Sequence, residues 1–253
     1  MEASAPYRRR LLQLVALAVA GLSLLQSTGC HLAASGQNAQ GARLFETGQY
    51  TAAMQEFQKA LATDPTNADG YYNLARVTHH MGVQRKDAAL TEQAESLYNQ
   101  CLDHNPQHVD CYRSLAVLLS ETGRPDKAFT LLKNWSASNP QLADARIELA
   151  RLYEEFGEPQ TAKKYLEDAV QQDPNSARAW LALAKMRESS GDFVQALANY
   201  QRSYSLNNFQ PMVQERIAAL SQQLSNAYDA TLSGGGTRMA QPGASNNLSR
   251  GRY

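Results

Sequence analysis

The stretch VDCYRSLAVLLSETGRPDKAFTLLKNWSASNPQL, residues 109–142, runs directly into ADARIELARLYEEFGEPQTAKKYLEDAVQQDPNS, residues 143–176. The two share few identical residues but one plan. Ala116 and Ala150 stand eighth in their units, Gly123 and Gly157 fifteenth, Ala128 and Ala162 twentieth, and Pro140 and Pro174 thirty-second. Between these markers apolar residues recur at three- and four-residue spacing, the period of a helix with one buried face. Glycine at the fifteenth slot supplies the left-handed conformation that ends a first helix. Proline near the end of the unit stops a second helix and starts the next turn. Each unit therefore predicts a helical hairpin whose alanines let its two helices approach closely.

Working outward, the Asp-Pro and Asn-Pro pairs set a register of five units: 34–67, 68–108, 109–142, 143–176 and 177–210. The second is 41 residues long and the others 34. Small residues hold the eighth slot (Gly41, Ala75, Ala116, Ala150, Ala184) and the twentieth (Ala53, Ala94, Ala128, Ala162, Ala196). Large ones hold the twenty-fourth: Phe57, Tyr98, Leu132, Leu166 and Tyr200. Gly48, Gly82 and Gly191 complete the fifteenth. One such hairpin cannot bury its own apolar face, so neighbours must stack. After Pro211, the residues Val213, Ile217, Leu220 and Leu224 recur at helical spacing and read as a capping helix.

This register resembles the tetratricopeptide-repeat (TPR) family. The resemblance implies an all-α, right-handed superhelical solenoid of antiparallel helix hairpins, with about five repeats and a C-terminal capping helix. It also implies a non-enzymatic protein–protein interaction scaffold.

The N-terminal residues follow other rules. Arg8, Arg9 and Arg10 precede an apolar run from Leu11 to Leu25, and small residues then lead to Cys30. A basic start, a short apolar core and small residues describe a secretory signal peptide. The core is about 15 residues, short of the roughly 20 that span a bilayer. Leu25-Gln26-Ser27-Thr28-Gly29-Cys30 resembles a bacterial lipoprotein lipobox, which implies acylation of Cys30 and a membrane-anchored, extracytoplasmic protein of the bacterial outer membrane or periplasm. The expected organisation is a signal peptide over 1–30, a polar linker over 31–40, the solenoid with its cap over 41–228, and a disordered tail over 229–253. The opening helix is expected from about Gly41, because Ser35-Gly36-Gln37-Asn38 is polar. The tail carries Arg238, Arg250 and Arg252 and is read as flexible and mildly basic.

Lys plus Arg and Asp plus Glu both number 24, so the formal net charge is zero. That removes the excess of cations that phosphate neutralisation needs, and no nucleic acid is expected as a partner. No phosphate-binding glycine loop, nucleophile elbow or zincin helix is present in the sequence, so neither a catalytic residue nor a cofactor is expected. One cluster carries chemistry: Cys101, His104, His108 and Cys111. Buried packing thiols, a Cys101–Cys111 disulfide and a metal site are the three readings open there, and no metal residue is assigned. His79 and His80 are adjacent and point about 100° apart on a helix, a poor metal pair.

In TPR proteins the first helices line a groove that holds a peptide or a partner's helix. The resemblance places Tyr72, Asn73, Arg76, His79, Arg113, Val117, Ile147, Arg151, Leu181 and Lys185 on that surface. Arg76, Arg113, Arg151 and Lys185 form a basic track, and Asp110, Asp144, Glu148 and Glu188 beside it can neutralise it. The Lys and Asn clamp of chaperone-binding relatives is absent apart from Asn73, since Asn38, Ala42, Asp110 and Ser114 fill its other slots. Two departures mark places to look for specificity. The second unit has about seven extra residues near Val83–Leu90, and Trp135 occupies a twenty-seventh slot that prefers a small side chain. Bacterial TPR lipoproteins of similar layout serve pilus assembly, outer-membrane protein assembly or cell-wall enzyme regulation. The expected partners are thus a protein or peptide in the groove and a bilayer at Cys30. The alternatives are a self-associating structural repeat protein or a type IV pilus assembly lipoprotein.

Overall fold

The Asp-Pro and Asn-Pro pairs work as turns built on the side chain before the proline. The Oδ1 atoms of Asp64, Asn105 and Asp173, each followed by proline, accept the N–H of the residue two positions on, at 3.0–3.2 Å; Asn207, followed by Asn208, does the same, whereas Asn139 before Pro140 donates to Trp135 O. Such a turn replaces helical hydrogen bonds with a local one and lets the chain reverse. The last slot of the unit then caps the next helix: Asn67 accepts from Gly70 N–H, His108 from Cys111 N–H, and Ser176 from Ala179 N–H. The proline and its flanking polar residues therefore form one stop-and-restart device.

A computed structural model describes residues 32–234, with eleven helices and no strand among them. Helix α1 spans 32–46. It is followed by α2 (Tyr50–Thr63), α3 (Ala68–Arg85), α4 (Ala88–His104), α5 (Val109–Glu121) and α6 (Pro125–Ser138). Then come α7 (Ala143–Glu155), α8 (Pro159–Gln172), α9 (Ala177–Ser189), α10 (Phe193–Leu206) and α11 (Pro211–Gly234). The described residues divide into two compact units, unit 1 up to Tyr165 and unit 2 from Leu166.

In both units the core is the repeat register made physical. Every alanine at the twentieth slot is fully buried, and Phe57, Tyr98, Leu132, Leu166 and Tyr200 beside them are at most 3% exposed. In unit 2, Tyr200, Ala184 and Ala196 pack with Val213 and Leu220 of α11, so the last helix covers the apolar face that a further hairpin would otherwise cover. Gly48, Gly123, Gly157 and Gly191 all have φ between 72° and 82°, the left-handed turn expected of them.

Three expectations change. The linker foreseen over 31–40 is helical from residue 32: Ala34 is buried, Asn38 donates to Asn67 Oδ1 at 3.4 Å, and Thr63 donates to Gln37 Oε1 at 3.1 Å. Its polar side chains are bonded to the second helix and the following turn, so α1 starts well before Gly41. At the other end, α11 continues past 228 to Gly234. In the second repeat, 68–108, Gly82 is not a helix end, because α3 runs on to Arg85 and Lys86 takes the left-handed turn at φ 55°. Gly82 is instead a point of close approach, where an added Cβ would lie 2.8 Å from Thr91 Oγ1. The extra residues lengthen both helices of that hairpin to 18 and 17 residues, against 13 or 14 in the hairpins that follow.

Residues 1–31 and 235–253 lie outside the described residues, and with them fall the signal segment, Cys30 and the arginines of the tail. Among the described residues no helix is long and apolar enough to cross a membrane.

Candidate partner-binding faces

In unit 1 the first helices α3, α5 and α7 are neighbours, and four of the sequence-selected side chains, Arg76, His79, Arg113 and Val117, line one cleft. A cleft of about 290 Å³ opens there. Arg76, His79 and Val83 of α3 form one wall, and Arg113, Val117 and Glu121 of α5 form the other. Phe45 of α1 and Tyr98 of α4 close it, and neither occupies a slot that the repeat assigns to the groove.

The charges in this cleft are mostly spoken for. Arg113 grips Glu148 with two hydrogen bonds, from Nε at 2.9 Å and Nη2 at 2.6 Å, and also reaches Asp110 at 2.8 Å. Arg151 approaches the same carboxylate at 3.3 Å. Glu148 is only 1% exposed, and a carboxylate that deep is stable only with such partners. Its hydrogen bond raises the Arg113 pKa further above an already high value. His79 Nε2 meets Glu121 Oε2 at 2.9 Å. Arg76 differs: it is exposed, and its guanidinium lies 4.7 Å from the Phe45 ring centre and 5.6 Å from that of Tyr72, with no carboxylate at ion-pair distance among the described residues. The neutralisation foreseen for the basic track thus holds for Arg113 and Arg151 but leaves Arg76 as a cation resting on aromatic faces.

Tyr72 lies beside the His108 ring at 4.9 Å and 6.4 Å from the Tyr98 ring. Burial pushes both phenols above their ordinary value. Asn73 is half-buried beside them. Ile147 departs from expectation: at 7% exposure it belongs to the core and offers little surface. Val83, 51% exposed, comes from the lengthened part of α3 and also lines a second cleft with Lys86, Thr91 and Glu121. The insertion therefore shapes the edge of this cleft.

The Cys/His cluster does not assemble. His104 stacks on Tyr71 at 5.1 Å, while His108 spends Nδ1 on the α5 cap and Nε2 on Asp69 at 3.0 Å. Cys101 and Cys111 do come together, fully buried as free thiols, with Cys111 Sγ donating to Tyr98 O at 3.2 Å. The hydrogen bond with Cys101, and then burial, push the Cys111 thiol up. Among the described residues no three His, Cys, Asp or Glu side chains converge as a metal site would require. His79 and His80 diverge, the second packing 4.3 Å from the Tyr50 ring. Trp135 is core as well, 2% exposed and stacked on Tyr112 at 4.1 Å, which removes it as an exposed interface anchor.

In unit 2, Leu181 and Lys185 of α9 face the start of α11 across a larger, more apolar cleft of about 530 Å³. Glu188 there accepts from the Tyr200 hydroxyl at 2.7 Å and pairs with Arg216.

Stacked helical hairpins with open first-helix faces define a repeat protein of the interaction type. Residues 87–152, 123–186 and 154–203 match the tetratricopeptide repeat, and residues 41–82 match the TPR repeat, together more than half of the chain. The chain belongs to the tetratricopeptide-repeat family. Among solved structures it is similar to TTC0263, a thermophilic TPR protein in Thermus thermophilus, at 23% identity and a TM-score of 0.54, covering 75% of this chain and 100% of that one. It is also similar to Pseudomonas aeruginosa pilF, at 20% identity and a TM-score of 0.47, over 81% of this chain and 96% of that one. Among curated proteins, the human Protein O-mannosyl-transferase TMTC1 is 32% identical over 88 residues, which is 35% of this chain and only 9% of that protein.

Proposed function

We propose that this chain is a non-catalytic protein-binding scaffold, tethered outside the cytoplasm through an acylated Cys30, that helps to assemble or regulate an envelope complex. The observation that carries the binding role is the unit 1 cleft, where Arg76 stands on Phe45 and Tyr72 with no carboxylate partner among the described residues while its neighbours are paired. A cation held over aromatic rings, beside Val83 and Val117, suits a polypeptide that offers both an acceptor and an apolar group. We assign no catalytic role. Of the two histidines that line the cleft, His79 is engaged by Glu121 and His80 packs on the Tyr50 ring. The tether rests on the Leu25–Cys30 segment and its resemblance to a lipobox.

Crosslinking in cells, followed by identification of the captured proteins, tests the scaffold. A defined envelope partner, lost on Arg76→Glu, is the expected result. Recovery of this chain alone would replace the adaptor with a self-associating repeat protein. The tether is tested separately by mass analysis of the mature N-terminus: diacylated Cys30 is expected, and Cys30→Ala should release the protein from membranes. An unmodified thiol at Cys30 would remove the anchor from the account.

A further inference from the structure

We infer that the cleft between α9 and α11 of unit 2 docks an acidic segment of a partner protein that carries an aromatic or aliphatic anchor side chain. The inference rests on the scaffold reading but not on the unit 1 cleft.

Three features point to that chemistry. Leu181, Lys185 and Glu188 repeat at four- and three-residue spacing, so they form a strip along one face of α9. Pro211, Met212 and Val213 face this strip, and the Tyr200 ring lies between, giving a mostly apolar trough of about 530 Å³, within the range that holds a bound group. Apolar surface also continues outside it. Met212 is 80% exposed at the lip, and Phe209, three residues earlier, is 91% exposed. Two large side chains left in water beside an apolar trough are unusual for a surface with nothing to cover it.

The charges then select the partner. One oxygen of Glu188 accepts the Tyr200 hydroxyl and the other pairs with Arg216, so this carboxylate is already satisfied. Lys185 is exposed and has no carboxylate partner among the described residues. With Glu188 and Arg216 cancelling, Lys185 leaves the trough with a net positive rim. An approaching carboxylate gains a partner there, whereas a basic segment meets like charge beside an apolar floor.

The test uses the full chain and three labelled synthetic peptides: an anchor residue (Leu or Phe) flanked by Asp and Glu, the same anchor flanked by Lys, and the acidic peptide with its anchor replaced by Ala. The first should bind at least tenfold more tightly than the other two, a difference of about 1.4 kcal/mol. Lys185→Glu should reverse the preference between acidic and basic peptides, and Met212→Asp should weaken both anchored peptides. Far-ultraviolet circular dichroism confirms that each variant is folded. Equal binding to wild type, Lys185→Glu and Met212→Asp would overturn the proposal, as would the absence of binding by any of the three peptides. Binding that falls with Arg76→Glu and not with Lys185→Glu would overturn the unit 2 site while leaving the scaffold reading intact.

Discussion

The two binding faces solve one problem in opposite ways. In unit 1, a buried acid, Glu148, holds Arg113 and Arg151 in place, while Arg76 has no carboxylate at ion-pair distance among the described residues. In unit 2 the acid, Glu188, is satisfied by a phenol and by Arg216 from the capping helix, which leaves Lys185 open over an apolar trough. The same slot of the repeat can therefore carry a structural arginine or an available lysine. What decides at this ninth slot is the residue three positions earlier on the same helix: Glu148 precedes Arg151, whereas Asn73 precedes Arg76 and Ala182 precedes Lys185. Arginine's planar fork also suits a fixed two-point grip on Glu148, while lysine is a mobile point charge.

The contrast can be broken in graded ways. The largest effect is expected from Trp135→Ala, which empties a fully packed site against Tyr112 in unit 1 and should cost about 3–5 kcal/mol in chemical denaturation. An exposed anchor would lose partner binding and almost no stability. Next, Glu148→Gln leaves Arg113 and Arg151 without their shared charge and should cost about 2 kcal/mol. It should also make unit 1 attract acidic peptides more strongly, bringing the two faces closer in character. A smaller loss, about 1 kcal/mol, is expected of Tyr200→Phe, which removes one of the two groups satisfying Glu188. The smallest change has the opposite sign. Lys86→Gly relieves a left-handed residue that carries a side chain and should stabilise unit 1 by about 0.5–1 kcal/mol.

Much of this is legible without coordinates. The alanines of the eighth and twentieth slots are buried in the structure because only a small side chain lets the paired helices approach, and that requirement is local enough to show in the register. The glycine turns are legible for the same reason, except at Gly82, where the insertion moves the helix end to Lys86. The site is legible as a set of slots and not as a set of contacts. Phe45 enters the unit 1 cleft from α1, whose polar start reads as a linker, and Tyr98 belongs to a core slot. Glu148 stands beside the track in the repeat register, but its depth depends on how α5 and α7 pack, which spacing along the chain does not encode. Ile147 falls in the core, whereas Tyr72 and Arg113 of the same slot are only partly buried, a difference that the register does not carry. Trp135 fits a slot meant for a small residue because Tyr112 offers it a flat partner.

The central claim is that partners engage the first helices of the hairpins. A photo-reactive residue placed in cells at Val117, on a first helix, and at Lys59, exposed on a second helix, tests it directly. The account predicts a crosslinked partner protein at Val117 and none at Lys59. Capture at Lys59 with none at Val117 would contradict it and move the binding surface to the second helices.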